Sequence, residues 1–185
     1  MDLNEEKKLV KEAKKNPEFF GLLYDKYYQP IFNYTLRRTA DIESAQDLTS
    51  QTFFIALKNL GKFRWQGVPF SAWLYRIATN EIYNLYRKQK RFIKISLDKI
   101  PEIPSPDAAD KEIEIADKEL KNKKDFIKIH QSISKLEPVY QSVIALRFFD
   151  KKKISEICQI LGKPEGTIKS QIHRALEQLK KLISE

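Results

Sequence analysis

The sequence predicts an all-α protein of two small helical domains joined by a flexible linker, with a helix-turn-helix in the C-terminal one. Three observations carry that prediction. Apolar residues recur at helical spacing in both halves of the chain, and no strand-like alternation runs longer than a few residues. Pro101, Pro104 and Pro106 fall within six positions of an acidic stretch between the halves. Near the C-terminus, SEICQILGKPEGTIKSQIHRALEQLKK (155–181) reads as two helices broken by GKPEG. With 185 residues, 42% hydrophobic and 32% charged, the chain has enough apolar material for two such cores.

The elements follow in order. Pro17 suits the first turn of a helix with Asn16 as its N-cap. Phe20, Leu23, Tyr24, Tyr27, Ile31, Tyr34 and Leu36 continue that helix, with Pro30 as a point of bending. A second helix is expected over about 41–60, through Ala45, Leu48, Phe53, Ile55 and Leu57, ended by Gly61. After the loop KFRWQGVP, a third spans about 70–91 and buries Trp73, Leu74, Ile77, Ala78, Ile82 and Leu85. These make a domain of residues 1–92. The linker is 93–109, and the helical segment after it, to about 122, is assigned to neither domain. A helix over about 110–136 leads into the second domain, 123–185, where the next helix starts at Pro138 and ends near Asp150.

Charge follows the same division. Residues 1–92 hold 16 Lys/Arg against 10 Asp/Glu, residues 93–122 hold 5 against 8, and residues 123–185 hold 13 against 7. Two basic blocks flank an acidic middle, and the whole chain carries +9. That balance favours an acidic partner such as nucleic acid. A lone cysteine, Cys158, excludes an internal disulfide and any CxxC metal site, so no metal or cofactor is expected. No Gly-rich phosphate loop, HExxH or nucleophile elbow appears, which argues against an enzyme. The first twenty residues lack the apolar core of a signal peptide, and no apolar run approaches the roughly 18 residues of a membrane span. The expected compartment is therefore the cytoplasm, without membrane insertion.

The GKPEG turn sets the angle between two helices. Ile154, Ile157, Cys158 and Leu161 form one apolar face, Gly162 can take the left-handed conformation that ends a helix, and Pro164 starts the next. Ile168, Ile172, Ala175, Leu176 and Leu179 form the second helix's buried stripe. Removing that stripe leaves Thr167, Lys169, Ser170, Gln171, His173 and Arg174 exposed near the helix N-terminus. In a helix-turn-helix this end enters the major groove, where such side chains bond base edges and phosphates.

The N-terminal block carries two further signals. Asp41, Glu43 and Asp47 put an acidic face on the 41–60 helix, which suits a basic protein partner. Carboxylates favoured by the helix dipole explain Asp41 and Glu43 but less well Asp47. A metal site is weak, with no His or Cys beside them. The stretch KFRWQGVPFSAWLYRIATNEIYNLYRKQKR (62–91) interleaves aromatic and basic residues, as single-stranded DNA binding requires, although aromatic packing is the commoner use of such rings.

The stretches AQDLTSQTFFIALKNLGKFRWQGVPFSAWLYRIATNEI and LEPVYQSVIALRFFDKKKISEICQILGKPEGTIKSQIHRALEQLKKL resemble regions two and four of the extracytoplasmic-function (ECF) group of bacterial RNA polymerase sigma factors. The paired presence of PFSAWLYRIATN and LGKPEGTIKSQIHRAL, in that order, is far more specific than a lone helix-turn-helix. The resemblance implies that the 41–60 helix docks on the clamp helices of the largest subunit of core polymerase, with Asp47, Gln51 and Thr52 at that interface, to which the acidic face adds Asp41 and Glu43. It places Arg64, Trp65, Gln66, Asn80, Arg87, Lys88, Lys90 and Arg91 at the minus-ten promoter element, where a non-template base is flipped out and the duplex opens. It places the recognition helix in the major groove of the minus-thirty-five element, with Lys169, Ser170, His173 and Arg174 at the matching positions. An anti-sigma factor is a common partner in that group. Gln171 stands where the group commonly has Arg, Asn84 where an acidic residue is frequent, and His173 at a variable position. The helix-turn-helix by itself leaves open a conventional dimeric DNA-binding regulator, which would bind duplex DNA tightly without polymerase.

Overall fold

The computed structural model describes residues 2–65, 69–96 and 132–184, and of 90–96 and 184 the backbone alone. A first helix, α1 (Leu3–Ala13), precedes those expected from the sequence. Its signal is the run DLNE: the Asp2 carboxylate accepts from the backbone N–H of Asn4 and Glu5, and the Glu5 carboxylate accepts from that of Asp2, each at 2.8 Å. The helix packs Val10 and Ala13 inward, and its buried Glu6 accepts a hydrogen bond from the Tyr27 hydroxyl.

Helix α2 (Glu18–Thr39) starts one residue later than expected. Asn16 still serves its N-terminus, since Asn16 Oδ1 accepts from the Glu18 N–H at 3.0 Å. The helix continues through Pro30 and ends on Ala40, at φ 53°, whose N–H donates to the Leu36 carbonyl. Helix α3 (Ile42–Asn59) is capped by Asp41, which accepts from the Ser44 N–H at 2.8 Å, and runs into a 3₁₀ turn, Leu60–Lys62. Its buried stripe is Ala45, Leu48, Thr49, Thr52, Phe53 and Ala56. Leu57, expected inside, is exposed. The stripe is set by a close approach to α2, where the buried hydroxyls of Thr35 and Thr49 bond at 3.0 Å and Thr49 donates to the Ala45 carbonyl at 2.6 Å. Helix α4 (Phe70–Ser96) closes the domain and runs into the first residues assigned to the linker, 93–96. Leu23, Ile31, Tyr34, Phe70, Leu74 and Ile82 fill the space between these helices. Trp73 and Leu85, expected inside, are only half-buried.

The rest of the expected linker and the 110–131 part of the following helix lie outside the described residues, as does His130; positions 132–134 are helical. In the second domain α5 (Pro138–Ile144) has Pro138 in its first turn. The single helix expected to end near Asp150 instead changes pitch: Ala145–Phe149 form a π-helical turn, closed by the Asp150 N–H donating to the Ala145 carbonyl at 3.0 Å. Helix α6 (Ile154–Leu161) ends on Gly162 at φ 63°, and α7 (Glu165–Ser184) follows directly. Every described element is helical. The two domains touch, with α6 packed along α4 and the π turn against α2.

Candidate nucleic-acid interface

The turn does what its composition predicts. Gly162 sits in the left-handed region, its N–H and that of Lys163 both return to the Cys158 carbonyl, and the Ile168 N–H reaches the Pro164 carbonyl to start α7. Ile168, Ala175 and Leu179 are buried against α5 and α6. Leu176, expected in that stripe, is 44% exposed. Thr167, Lys169, Ser170, His173 and Arg174 stand on the open side. Lys169 pairs with Glu165 at 2.7 Å, a hydrogen bond and charge that hold its ammonium above the ordinary lysine range. His173 Nε2 lies 3.5 Å from a Glu177 oxygen. The Ser170 hydroxyl donates to the Thr167 carbonyl, so toward DNA it presents acceptor lone pairs unless it rotates. Gln171 departs from expectation: it is half-buried, and its Oε1 is sealed from solvent with no hydrogen-bond partner among the described residues. It is not one of the free donors of the outer face.

In the first domain, Lys62, Phe63, Arg64, Trp73 and Arg76 line a cavity of about 300 Å³ between the loop and the start of α4. Phe63 packs on Trp73 (centroids 4.8 Å apart) and edge-on to Trp65 (6.4 Å). Lys14, at the C-terminal cap of α1, donates to the Phe63 carbonyl and ties the loop down. Three cations and two rings around a void of this size suit an unstacked base and its phosphate. Trp73, Arg76, Asn80 and Arg87 follow one another at helical spacing along α4, and the last three are exposed. Lys88 is exposed beside them, while Gln66 and the side chains of Lys90 and Arg91 lie outside the described residues. The interleaved stretch 62–91 already put Lys62, Phe63, Arg64, Trp65, Trp73 and Arg76 among the rings and cations suited to an unstacked base, and which of them are walls shows only once the loop folds back.

The acidic face of α3 is open. Asp41, Glu43, Asp47 and Gln51 are exposed, and Asp47 and Gln51 border an open groove of about 540 Å³ with Leu48, Phe54 and Leu85. Thr52 does not belong to this surface. It is 0% exposed and donates to the Leu48 carbonyl at 2.7 Å, because its position on the helix turns it into the domain core. Phe54 is the residue that spacing missed; an aromatic side chain off the buried stripe, 61% exposed, was its signal.

The Sigma-70 region 2 family matches residues 23–92, and the Sigma-70, region 4 family matches residues 126–179. The ECF RNA polymerase sigma factor SigW of Bacillus subtilis is 33% identical over 184 residues, covering 95% of each chain. The chain belongs to the ECF sigma factors. Other relatives agree: the RNA polymerase sigma factor YlaC of Bacillus subtilis is 33% identical, with 86% of this chain and 88% of that one covered. The ECF RNA polymerase sigma factor BldN of Streptomyces coelicolor is 30% identical over 89% of this chain, which spans 60% of that relative's length. The fold is shared with solved structures. CnrH in complex with the cytosolic domain of CnrY superposes with a TM-score of 0.70 at 20% identity, covering 97% of both chains. The sigma factor RpoE in complex with the anti-sigma factor NepR from Bartonella quintana gives 0.66 at 22%, covering 89% of this chain and 96% of that one. In this ECF sigma factor, the loop, α3 and α4 fall within region two, and the helix-turn-helix within region four. Among the described residues no helix is long and apolar enough to cross a membrane, and no cluster of His, Cys, Asp and Glu is placed to hold a metal ion.

Proposed function

We propose that this sigma factor is a non-catalytic specificity subunit of the cytoplasmic transcription machinery. It docks on the clamp helices of core RNA polymerase through the α3 groove, with Asp47 and Gln51 at its edge and Phe54 as its apolar anchor. The cationic, aromatic cavity and the exposed Asn80, Arg87 and Lys88 of α4 take the non-template strand of the minus-ten element. Lys169, Ser170, His173 and Arg174 of α7 read the minus-thirty-five element in duplex DNA. Binding energy at the two elements offsets the cost of deforming and opening the duplex, and the polymerase performs the phosphodiester chemistry. An anti-sigma factor is a further partner of the proposal, consistent with the complexes in which the two structural neighbours were solved.

The observation that carries this reading is the division of labour within region two: an α3 face that exposes Asp41, Glu43 and Asp47 beside an apolar groove, and a cationic aromatic cavity beside α4. One surface repels DNA and the other attracts it. Native binding to core polymerase, then DNA binding with and without core, tests it. A one-to-one complex that alone binds and opens promoter DNA is expected. Tight binding to duplex DNA without core would make the protein a conventional regulator. Within the complex, Lys169→Ala and Arg174→Ala should weaken upstream-element binding and leave core affinity unchanged.

A further inference from the structure

Phe63 is the residue on which the loop before α4 turns. The 3₁₀ turn Leu60–Lys62 ends there, and the chain leaves it extended, at φ −61° and ψ 130°. The Phe63 ring sits among three others, with centroids 4.8 Å from Trp73, 5.3 Å from Phe70 and 6.4 Å from Trp65. Both polar groups of its backbone are held. The N–H donates to the Leu60 carbonyl at 3.1 Å, and the carbonyl accepts from the Lys14 ammonium. The first bond is local. The second spans 49 positions and comes from outside both the loop and α4.

Lys14 is placed for this contact by α1. Val10 and Ala13 bury one side of that helix, and the buried Glu6 carboxylate accepts from the Tyr27 hydroxyl. The Tyr27 ring in turn meets Phe70 at 6.2 Å, so α1 is keyed to the aromatic cluster that packs Phe63. Lys14 sits at the C-terminal cap, where the helix dipole favours a cation, and its ammonium lies 5.9 Å from the Phe63 ring centroid. Its neighbour Lys15 behaves otherwise and pairs locally with Glu12 at 3.3 Å.

The peptide unit whose oxygen Lys14 holds is planar, and its nitrogen belongs to Arg64. Fixing that oxygen fixes the direction in which Arg64 leaves the turn. Arg64 lines the cavity beside Lys62, Phe63, Trp73 and Arg76, whereas Lys14 is not one of its walls. Given the proposed role of that cavity, we infer that Lys14 is a positioning residue for minus-ten recognition. It braces the loop from behind, so that Phe63 and Arg64 are in place before the non-template strand arrives. A loop held in its bound shape spares the ordering cost that a loose one pays on binding.

The test compares wild type with Lys14→Met and Lys14→Arg, at a side chain exposed enough to leave the core intact. In the free full-length chain, acrylamide, an uncharged quencher, reports on Trp65 and Trp73, the two tryptophans of the sequence, both half-buried at the loop. In the holoenzyme, affinity is measured across salt for a single-stranded oligonucleotide. It bears the non-template minus-ten sequence that wild-type holoenzyme selects from a randomised duplex pool. Lys14→Met should raise quenching and weaken oligonucleotide binding roughly fivefold, as for a freed loop that keeps the competent shape about one fifth of the time. Core affinity and the salt dependence of oligonucleotide binding should not change. Lys14→Arg, which keeps a cationic donor, should restore most of both losses. Unchanged quenching and affinity in Lys14→Met overturn the brace. So does a fall of about 0.7 in the slope of log affinity against log salt, which would make Lys14 a direct phosphate contact. Raised quenching, with an oligonucleotide that no holoenzyme binds, keeps the brace and overturns the minus-ten reading of the cavity.

Discussion

Tyr34 and Thr79 meet at 2.8 Å in the centre of region two, where both are essentially sealed from solvent. The Thr79 hydroxyl has one proton, and it is directed to the Tyr75 carbonyl at 2.7 Å. Tyr34 is therefore the donor and Thr79 the acceptor. The bond joins α2 to α4, the helix that carries one wall of the cavity.

The two residues should respond unequally to substitution. Tyr34→Phe removes the donor and leaves Thr79 bonded to its own helix, at a cost of about 1 kcal/mol. Thr79→Val strands a buried phenol hydroxyl at a cost of about 1–3 kcal/mol. Urea denaturation of the full chain measures both, and equal midpoints would contradict the assignment of donor and acceptor.

Two helix ends invite opposite changes. Gly162→Ala places a β-carbon at φ 63°, where L-residues are strained by about 1–2 kcal/mol. Crowding does not contribute, because the new carbon meets only Arg76 Nη2 at 3.8 Å. Ala40 already bears that strain at φ 53°. Ala40→Gly should stabilise by about 0.5–1 kcal/mol after the added flexibility of the unfolded chain is subtracted. Thermal unfolding reads both shifts, downward for the first and upward for the second.

The α3 groove separates binding from folding. Phe54→Ala should weaken core polymerase binding by about 2 kcal/mol, near thirtyfold in Kd, while stability moves by less than about 0.5 kcal/mol. Asp47→Lys should weaken it too, with a loss that shrinks as salt is added. Thr52→Val, inside the domain, should leave core affinity unchanged. Holoenzyme titration decides, and an effect at Thr52 comparable to that at Phe54 would move the interface to another face.

Asp150 gives the folded chain a pH dependence. Burial raises its carboxyl above the ordinary value of 3.8, against the opposing pull of Arg37 from α2, Tyr75 from α4 and the neighbouring Lys152. The folded form therefore binds a proton more readily than the unfolded chain with an ordinary carboxyl. Folding gains as pH falls through the raised value toward 3.8, and that gain is lost as pH rises. Asp150→Asn, uncharged throughout, should fold and lose this component. Urea denaturation followed from neutral pH downward checks it, and an unchanged profile in Asp150→Asn would assign the dependence elsewhere.

The elements themselves were legible because their causes are local. The stripe at Ile168, Ala175 and Leu179, the left-handed Gly162 and the Pro138 helix start each depend on neighbours within a turn or two. The DLNE cap of α1 is equally local. The α3 groove was half legible: spacing placed Asp47 on it, and the resemblance added Gln51 together with the buried Thr52, since neither says which side of α3 faces the core.

By itself, then, the sequence determined an all-helical chain of two domains, the position of the helix-turn-helix and the family to which both belong. Those follow from short-range periodicity, turn chemistry and motif spacing. Tertiary structure alone decided that Gln171 turns inward, that Phe63 and Trp73 wall a cavity, that α5 changes pitch into a π turn, and that Arg38 is buried in the opposite domain. The physical reason is common to all four. A side chain's surroundings are set by which surfaces pack together, and surfaces that meet across about a hundred residues leave no period in the sequence between them.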